Sequence, residues 1–297
     1  MIGDKSKKIT LLKTFLMVGI VVLLLVTLFP FYWVLRTSLT PNRLIYTNAA
    51  SLLPLEITWT NFGRVLGLID PVKAIELGGS GQSVNLLVNV TNSVLVSGGV
   101  MIFQVLFSAM AAYAFARLDF PFRNKIFTMY LSGLMIPVIV VTIPNFIFIK
   151  ELGLLNTLLG IMGPTLFMTP FAVFFLRQFF LGINRELEEA SFLDGAGIST
   201  TFIRIILPLS QTALVTLGVI TFITTWNDYM WPLIVSKKDI MRTLTVALGI
   251  FRSQTPQGNP DWGGLMAGAI LAIVPPMIIL LGFGKKIINS IGFSGIK

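Results

Sequence analysis

The sequence predicts an all-α membrane protein with six transmembrane helices and both termini on the cytoplasmic side. Three observations carry that expectation. Of the 297 residues 55% are hydrophobic and only 12% charged. Mean hydropathy is +0.85, outside the balance of a soluble globular domain. The apolar residues also fall into six runs, each near the ~20 residues a helix needs to cross a bilayer. The whole chain, 1–297, reads as one transmembrane domain.

The first run, Phe15 to Leu35, follows Lys5, Lys7, Lys8 and Lys13. It is longer than a signal-peptide core and lacks a small-x-small cleavage site, so it reads as a retained anchor with the N-terminus inside. Residues 36–84 then form a long polar connection with Pro41, Pro54 and Gly78-Gly79-Ser80-Gly81, expected outside the bilayer as an irregular, partly helical cap. The second run spans about Ser83 to Phe115. Asn85, Asn89 and Asn92 share one helical face in it. Ser108, Ala112 and Ala116 form the small-xxx-small spacing that lets helix backbones approach. The asparagine face suits either helix packing or a wet solute path.

Arg117, Arg123 and Lys125 precede a third run at about 126–148, interrupted by Pro137 and Pro144. The fourth, about 157–180, holds Pro164 and Pro170, so both are expected to bend. A fifth run covers about 209–235, an external segment about 236–262, and a sixth run about 263–284, where Gly264, Gly268 and Ala272 form another small-residue stripe. Orientation follows from counting: with the N-terminus inside, 13 of the 22 Lys and Arg are cytoplasmic. Eight of the other nine sit in the two long external segments, which count little in the positive-inside rule. These cytoplasmic flanks also explain the net charge of +9 without nucleic acid.

Between the fourth and fifth runs lies a charged segment of about 182–208, placed in the cytoplasm by the same count. Asn184 is a good N-cap, and Glu186, Glu188 and Glu189 fall where a helix dipole favours negative charge. Gly195 and Gly197 are expected to end that helix through a left-handed residue, and Pro208 suits the first turn of the next. The product is a two-helix elbow with a small-residue face around Ala190 and Ser191. It suits either a protein-docking surface or a helix lying on the membrane.

Chemistry is bounded by what is missing. Cys and His are absent, which removes thiol catalysis, histidine acid–base work and the common zinc and haem ligand sets. No catalytic or metal-binding residue is assigned. The single Gly-Lys pair, Gly284-Lys285, has Ile279 where a P-loop requires its first Gly. A process that uses ATP therefore needs a separate ATPase. In the fifth run, Trp226, Asn227 and Asp228 combine an aromatic face with an amide and a carboxylate, a set suited to hydroxyl-rich solutes. Intramembrane acids are functional by default, although Asp228 sits near the outer end of the run, where structural polar bonding also fits.

The elbow resembles the signature of ABC importer permeases: Glu189-Ala190-Ser191, Gly195, Ile205 and Leu207-Pro208 stand at its spacings, with Ser191 in place of a second Ala. The resemblance extends to the carbohydrate-uptake branch, the maltose permease G-type subunits. It does so through Ala111-Ala112-Tyr113-Ala114-Phe115-Ala116-Arg117, through Trp226-Asn227-Asp228 with Pro232, and through the C-terminal Gly292 to Lys297. It implies a type I ABC importer permease fold in a bacterial or archaeal cytoplasmic membrane. The implied partners are a second permease subunit, two copies of a cytoplasmic ABC ATPase and an extracytoplasmic solute-binding protein. It implies no cofactor on this chain, ATP and Mg being used by the ATPase, and a saccharide or saccharide-like solute.

In that scheme Glu189 and Asp194 anchor the elbow, Ala190 and Ser191 allow close packing, and Gly195 makes the corner. Ile205 belongs to the same signature, and Leu207-Pro208 passes motion to the fifth span. Asn89 and Asn92 join Trp226, Asn227 and Asp228 as candidates for the solute path. An ion-coupled secondary carrier is the alternative, one that expects several intramembrane acids and repeat symmetry.

Overall fold

The computed structural model describes residues 2–47, 51–81, 84–252 and 258–292, and every regular element among them is helical. Helix α1 (Ile2–Ser38) is followed by three short helices, α2 (Asn42–Thr47), α3 (Thr60–Val65) and α4 (Pro71–Glu76). Next come α5 (Leu86–Arg117), α6 (Arg123–Ser132), α7 (Val138–Glu151), α8 (Leu158–Met162) and α9 (Pro170–Leu181). The elbow region holds α10 (Glu186–Leu193), α11 (Ile198–Thr201) and α12 (Leu207–Leu209). The chain continues with α13 (Gln211–Trp226), α14 (Met230–Val235), α15 (Leu244–Leu248) and α16 (Trp262–Gly292). The predicted start at Ser83 and residues 293–297 of the C-terminal motif lie outside the described residues.

Among the described residues three helical stretches are long and apolar enough to cross a membrane alone: Lys13–Ser38, Leu86–Arg117 and Trp262–Gly284. Three bent pairs meet the same test jointly. They are Arg123–Met135 with Val138–Glu151, Leu158–Thr165 with Pro170–Leu181, and Ile198–Leu209 with Gln211–Trp226, bent by 100°, 52° and 77°. Counting each pair as one span yields the expected six.

Two of the prolines do more than kink a helix. Pro137 lies at the break before α7, and Pro170 occupies the first turn of α9, where a missing N–H costs nothing. Thr169 caps α9 by accepting from the Ala172 N–H. Pro144 remains interior, within α7.

The fifth span departs from the expected 209–235. Its helical stretch begins at Ile198 and ends at Trp226, and α14 is a separate helix. The physical reason is Asn227-Asp228. Polar side chains end α13, and the Asp228 carboxylate accepts from the Trp231 N–H at 3.4 Å to start α14.

Chain proximity divides the protein into two compact units. One comprises Met1–Val84 and Leu248–Leu271, so the two segments expected outside the bilayer contribute to the same unit. At its centre Arg64 and Asp261, 2% and 0% exposed, form a two-pronged ion pair. Asp261 also accepts from the backbone N–H groups of Ser80 and Gly264, both at 2.9 Å. Asn61 donates to the Ser38 and Thr40 carbonyls and accepts from Arg64. Burying a charge is costly unless it is paired and bonded, and both conditions hold. Gly264 and Gly268 lie against the Phe251 and Leu248 side chains so closely that a Cβ would come within 2.8 and 2.3 Å of them. Close approach, the role expected of that stripe, is what these glycines supply.

The other unit comprises Asn85–Ala247 and Ala272–Lys297. Its core joins Ala109, Ala112, Tyr113 and Ala116 of α5 to Ala172, Val173, Leu176 and Phe180 of α9, with Ala213 and Leu217 of α13. The alanines of this set, Ala109, Ala112, Ala116, Ala172 and Ala213, bring helix axes together where lipid offers no hydrophobic drive. Gln104 adds the polar link: its amide donates to the Thr165 carbonyl at 3.1 Å, at the broken fourth span, and accepts from the Thr221 hydroxyl at 2.8 Å. A carbonyl freed by the break thus finds a partner inside the protein.

Candidate functional site at the charged elbow

Helix α10 begins where the acidic residues and Asn184 predict. The Asn184 Oδ1 accepts from the Glu186 N–H at 3.2 Å, and Glu186, Glu188 and Glu189 occupy the first turn. The helix ends at Gly195, whose φ is +83°. The Gly195 N–H donates to Phe192 O and the Ala196 N–H to Ser191 O, both at 3.0 Å, the paired closure of a Schellman motif. Gly197 differs from expectation: its φ of −81° and ψ of 168° are extended, and it opens α11 rather than closing α10. One left-handed residue suffices to turn the corner.

The second arm runs from Ile198 to Leu209 with a π-helical stretch at Phe202–Ile206. Pro208 has no N–H for the Arg204 carbonyl, and the widened turns stand immediately before it. Pro208 therefore lies near the end of this arm, two residues before the 77° bend that starts at Ser210. Ile205 and Leu207 are half-buried, while Pro208 is exposed.

The elbow has distinct inner and outer faces. On the outside Leu187, Glu189, Ala190, Phe192, Leu193 and Asp194 are exposed, Leu193 at 89%. Inside, the Ser191 and Thr201 hydroxyls lie 2.9 Å apart, and Thr201 also reaches the Gly197 carbonyl at 3.2 Å. Ser191, read from the sequence as part of a contact face, is 7% exposed and closes the elbow internally. Ala190 is the small residue presented outward.

Glu188 was legible only as one of three acids in a first turn. The structure buries it, 6% exposed, beneath the elbow. Its Oε1 lies 2.7 Å from Arg117 Nε, a charge contact whose N–H is not aligned for a hydrogen bond. Its Oε2 accepts from the Tyr113 hydroxyl at 3.1 Å. Arg117 Nη2 further donates to the Phe180 and Ile183 carbonyls, at 2.7 and 2.5 Å, at the end of α9. The Tyr113 ring packs on Phe202 of the second arm, centroids 5.0 Å apart. The signal in the sequence was Arg117 itself, the last residue of a 32-residue apolar helix.

The candidate solute-path residues are each held by their own partners. Asn85 caps α5 through the Val88 N–H, outside the stripe it was grouped with. Asn89 donates to Arg242 O at 2.9 Å and Asn92 to Ile240 O at 2.8 Å, so both amides are engaged with the carbonyls of the 239–242 turn. Trp226 is 2% exposed, donates its Nε1–H to Ala272 O at 3.1 Å and stacks on Phe222. Asn227 is exposed, and Asp228 is half-buried at the start of α14.

Six apolar helical stretches among the described residues, three of them bent pairs, define a multi-pass membrane protein. The chain belongs to the family described as binding-protein-dependent transport system inner membrane components, whose model matches residues 104–291. It is 35% identical over 206 residues to an arabinooligosaccharides transport system permease protein of Halalkalibacterium halodurans, covering 69% of this chain and 72% of that one. It is 31% identical over 280 residues to an sn-glycerol-3-phosphate transport system permease protein of Salmonella typhi, covering 94% of each.

Among solved structures it shares the fold of a bacterial ABC transporter chain involved in import of the acidic polysaccharide alginate. The TM-score is 0.75 at 21% identity, over 92% of this chain and 96% of that one. The chain is thus a permease component of the inner membrane, a transport subunit rather than an enzyme. The family implies an ATPase and a solute-binding protein as partners.

Proposed function

We propose that this chain is one half of the membrane path of an ATP-driven importer for a saccharide or saccharide-like solute. A second permease subunit completes the path, two ATPase copies stand beneath it, and a binding protein delivers the solute from outside. Both termini and the elbow face the cytoplasm. ATP and Mg belong to the ATPase. The observation that carries the docking role is the outer face of α10: Glu189 and Asp194 flank exposed Ala190 and Leu193, on a helix whose end is locked by Gly195. Closure of the ATPases draws the docked elbows together and moves the path between inward-open and outward-open states as rigid bodies.

The solute class is supported by the arabinooligosaccharide and glycerol-phosphate relatives, both systems for hydroxyl-rich compounds. Of the path candidates, Asn227 has an exposed amide and is the one we place at the solute. Trp226, Asn89 and Asn92 support the path by packing, and Asp228 by starting α14. The carboxylate of Asp228 is thereby engaged with backbone N–H groups, which weighs against the ion-coupled carrier.

The test is a pull-down of tagged chain from mild detergent, followed by a thermal-shift solute screen on the binding protein recovered with it. Co-purification of an ABC ATPase and a second permease, with a saccharide stabilising the binding protein, is the expected result. Recovery of the chain alone, with intact uptake, would overturn the reading.

A further inference from the structure

Arg117 and Glu188 are both almost fully buried, with side chains 5% and 7% exposed. They join three elements. Glu188 lies on α10, Arg117 ends α5, and the guanidinium also holds the Phe180 and Ile183 carbonyls, where the chain leaves α9 for the elbow. The Tyr113 hydroxyl, one turn earlier on α5, binds the other carboxylate oxygen. Guanidinium is planar and presents its donors as a fixed fork, so these contacts define an orientation as well as a distance. The outward residues of α10 contribute nothing to this clamp, and the clamp contributes nothing to the outward face.

We infer that the Arg117–Glu188 pair is the link through which movement of the elbow reaches the second span, α5, and that Arg117, Glu188 and Tyr113 are positioning residues for transport. The signature alone points to Leu207-Pro208 and the fifth span as the route of motion. The geometry points to a second and shorter route. A force applied to α10 meets a buried charge contact to α5 within one side-chain length, whereas the path to α13 crosses the π-helical stretch and the bend at Ser210. Widened and broken helical segments absorb displacement, while a desolvated ion pair with fixed partners resists it. The elbow, the end of α9 and the cytoplasmic end of α5 therefore move as one body.

This inference rests on the docking role proposed for the elbow, and its test separates the two. The chain contains no cysteine, so paired spin labels can be placed cleanly. Labels at Glu186→Cys, on α10 but outside its docking face, and Met110→Cys on α5, both exposed side chains, report the distance between the two elements in the assembled transporter. The expected result is one distance, unchanged between the resting and ATP-trapped states, that broadens in Glu188→Gln.

Uptake per assembled complex should fall at least about tenfold in Glu188→Gln, within the range of typical coupling energies, while the ATPase still co-purifies. Arg117→Lys, which keeps the charge but loses the fork, should show an intermediate loss, and Tyr113→Phe the smallest. Full uptake in Glu188→Gln, or a label distance that changes between states in the parent chain, would overturn the link and leave docking standing. Loss of the ATPase from the parent complex would instead remove the docking role itself. If Glu188→Gln fails to assemble, the parent label distance and Arg117→Lys still decide.

Discussion

The Ser191 and Thr201 hydroxyls meet 2.9 Å apart across the Gly195 corner, both buried, tying the first arm of the elbow to the second. Ser191 stands where the family signature carries alanine. The hydroxyl is therefore an addition, and Thr201 keeps a second partner in the Gly197 carbonyl. Ser191→Ala should cost at most about 1 kcal/mol and leave uptake within about twofold. Ser191→Leu, with no room on the inner face, should abolish assembly with the ATPase, as read by co-purification.

Gly195 has open space where a Cβ would go, so its requirement is purely conformational. A non-glycine residue at its φ of +83° pays about 1–2 kcal/mol of backbone strain. Asn tolerates the left-handed region better than branched residues do. Gly195→Val should uncouple ATP hydrolysis from uptake with membrane insertion intact, and Gly195→Asn should retain most uptake. Normal solute-stimulated uptake in the valine variant would sink the docking assignment.

Asp228 starts α14 through the Trp231 N–H, a task Asn performs as well as Asp. Asp228→Asn should therefore transport normally. Asp228→Ala should lower the melting temperature, by the ~0.5–2 kcal/mol of a lost cap. A large loss of uptake in the Asn variant with normal assembly would move the carboxylate into the solute path.

Asp261→Ala should be among the most damaging single changes outside the elbow. It leaves Arg64 buried without its carboxylate and removes the acceptor for the Ser80 and Gly264 N–H groups. Breaking a buried pair on one side costs about 3–5 kcal/mol, visible as a large drop in melting temperature in detergent. Conservative Asp261→Glu should not recover it, because the longer side chain displaces the carboxylate from the Arg64 guanidinium and from the Gly264 N–H that it now meets at 2.9 Å.

Gln104→Leu should bear on the broken fourth span. It strands the Thr165 carbonyl and the Thr221 hydroxyl inside the protein. Side-chain bonds between membrane helices average about 0.6 kcal/mol and reach about 1.7, so assembly should survive with modestly reduced thermal stability. Gln104→Glu should be worse than Gln104→Leu, because it introduces a charge among apolar neighbours.

The span pattern was readable because it rests on local composition. Runs such as Phe15 to Leu35 are apolar over the length a bilayer demands, and the glycine at 195 lies where a helix opened by an acidic first turn ought to end. The limits of the fifth span were not readable. Its apolar run continues through Met230–Val235, and only the carboxylate of Asp228 engaging backbone N–H groups shows that α14 is a new helix. Three acids in one turn of α10 likewise look alike on paper. Glu188 differs from Glu186 and Glu189 solely because Arg117, 71 residues earlier, ends its helix beneath it.

The amino-acid sequence by itself determined the membrane class, the six apolar stretches and the position of the elbow, since these depend on residue type and short spacing. Tertiary structure alone decided which faces of the elbow are inside and outside. It also engaged Asn89, Asn92 and Trp226 within the protein and paired Arg64 with Asp261 across 197 residues of chain. The physical reason is that burial and pairing of polar groups are set by which segments meet, and a bilayer-spanning chain must satisfy those groups internally.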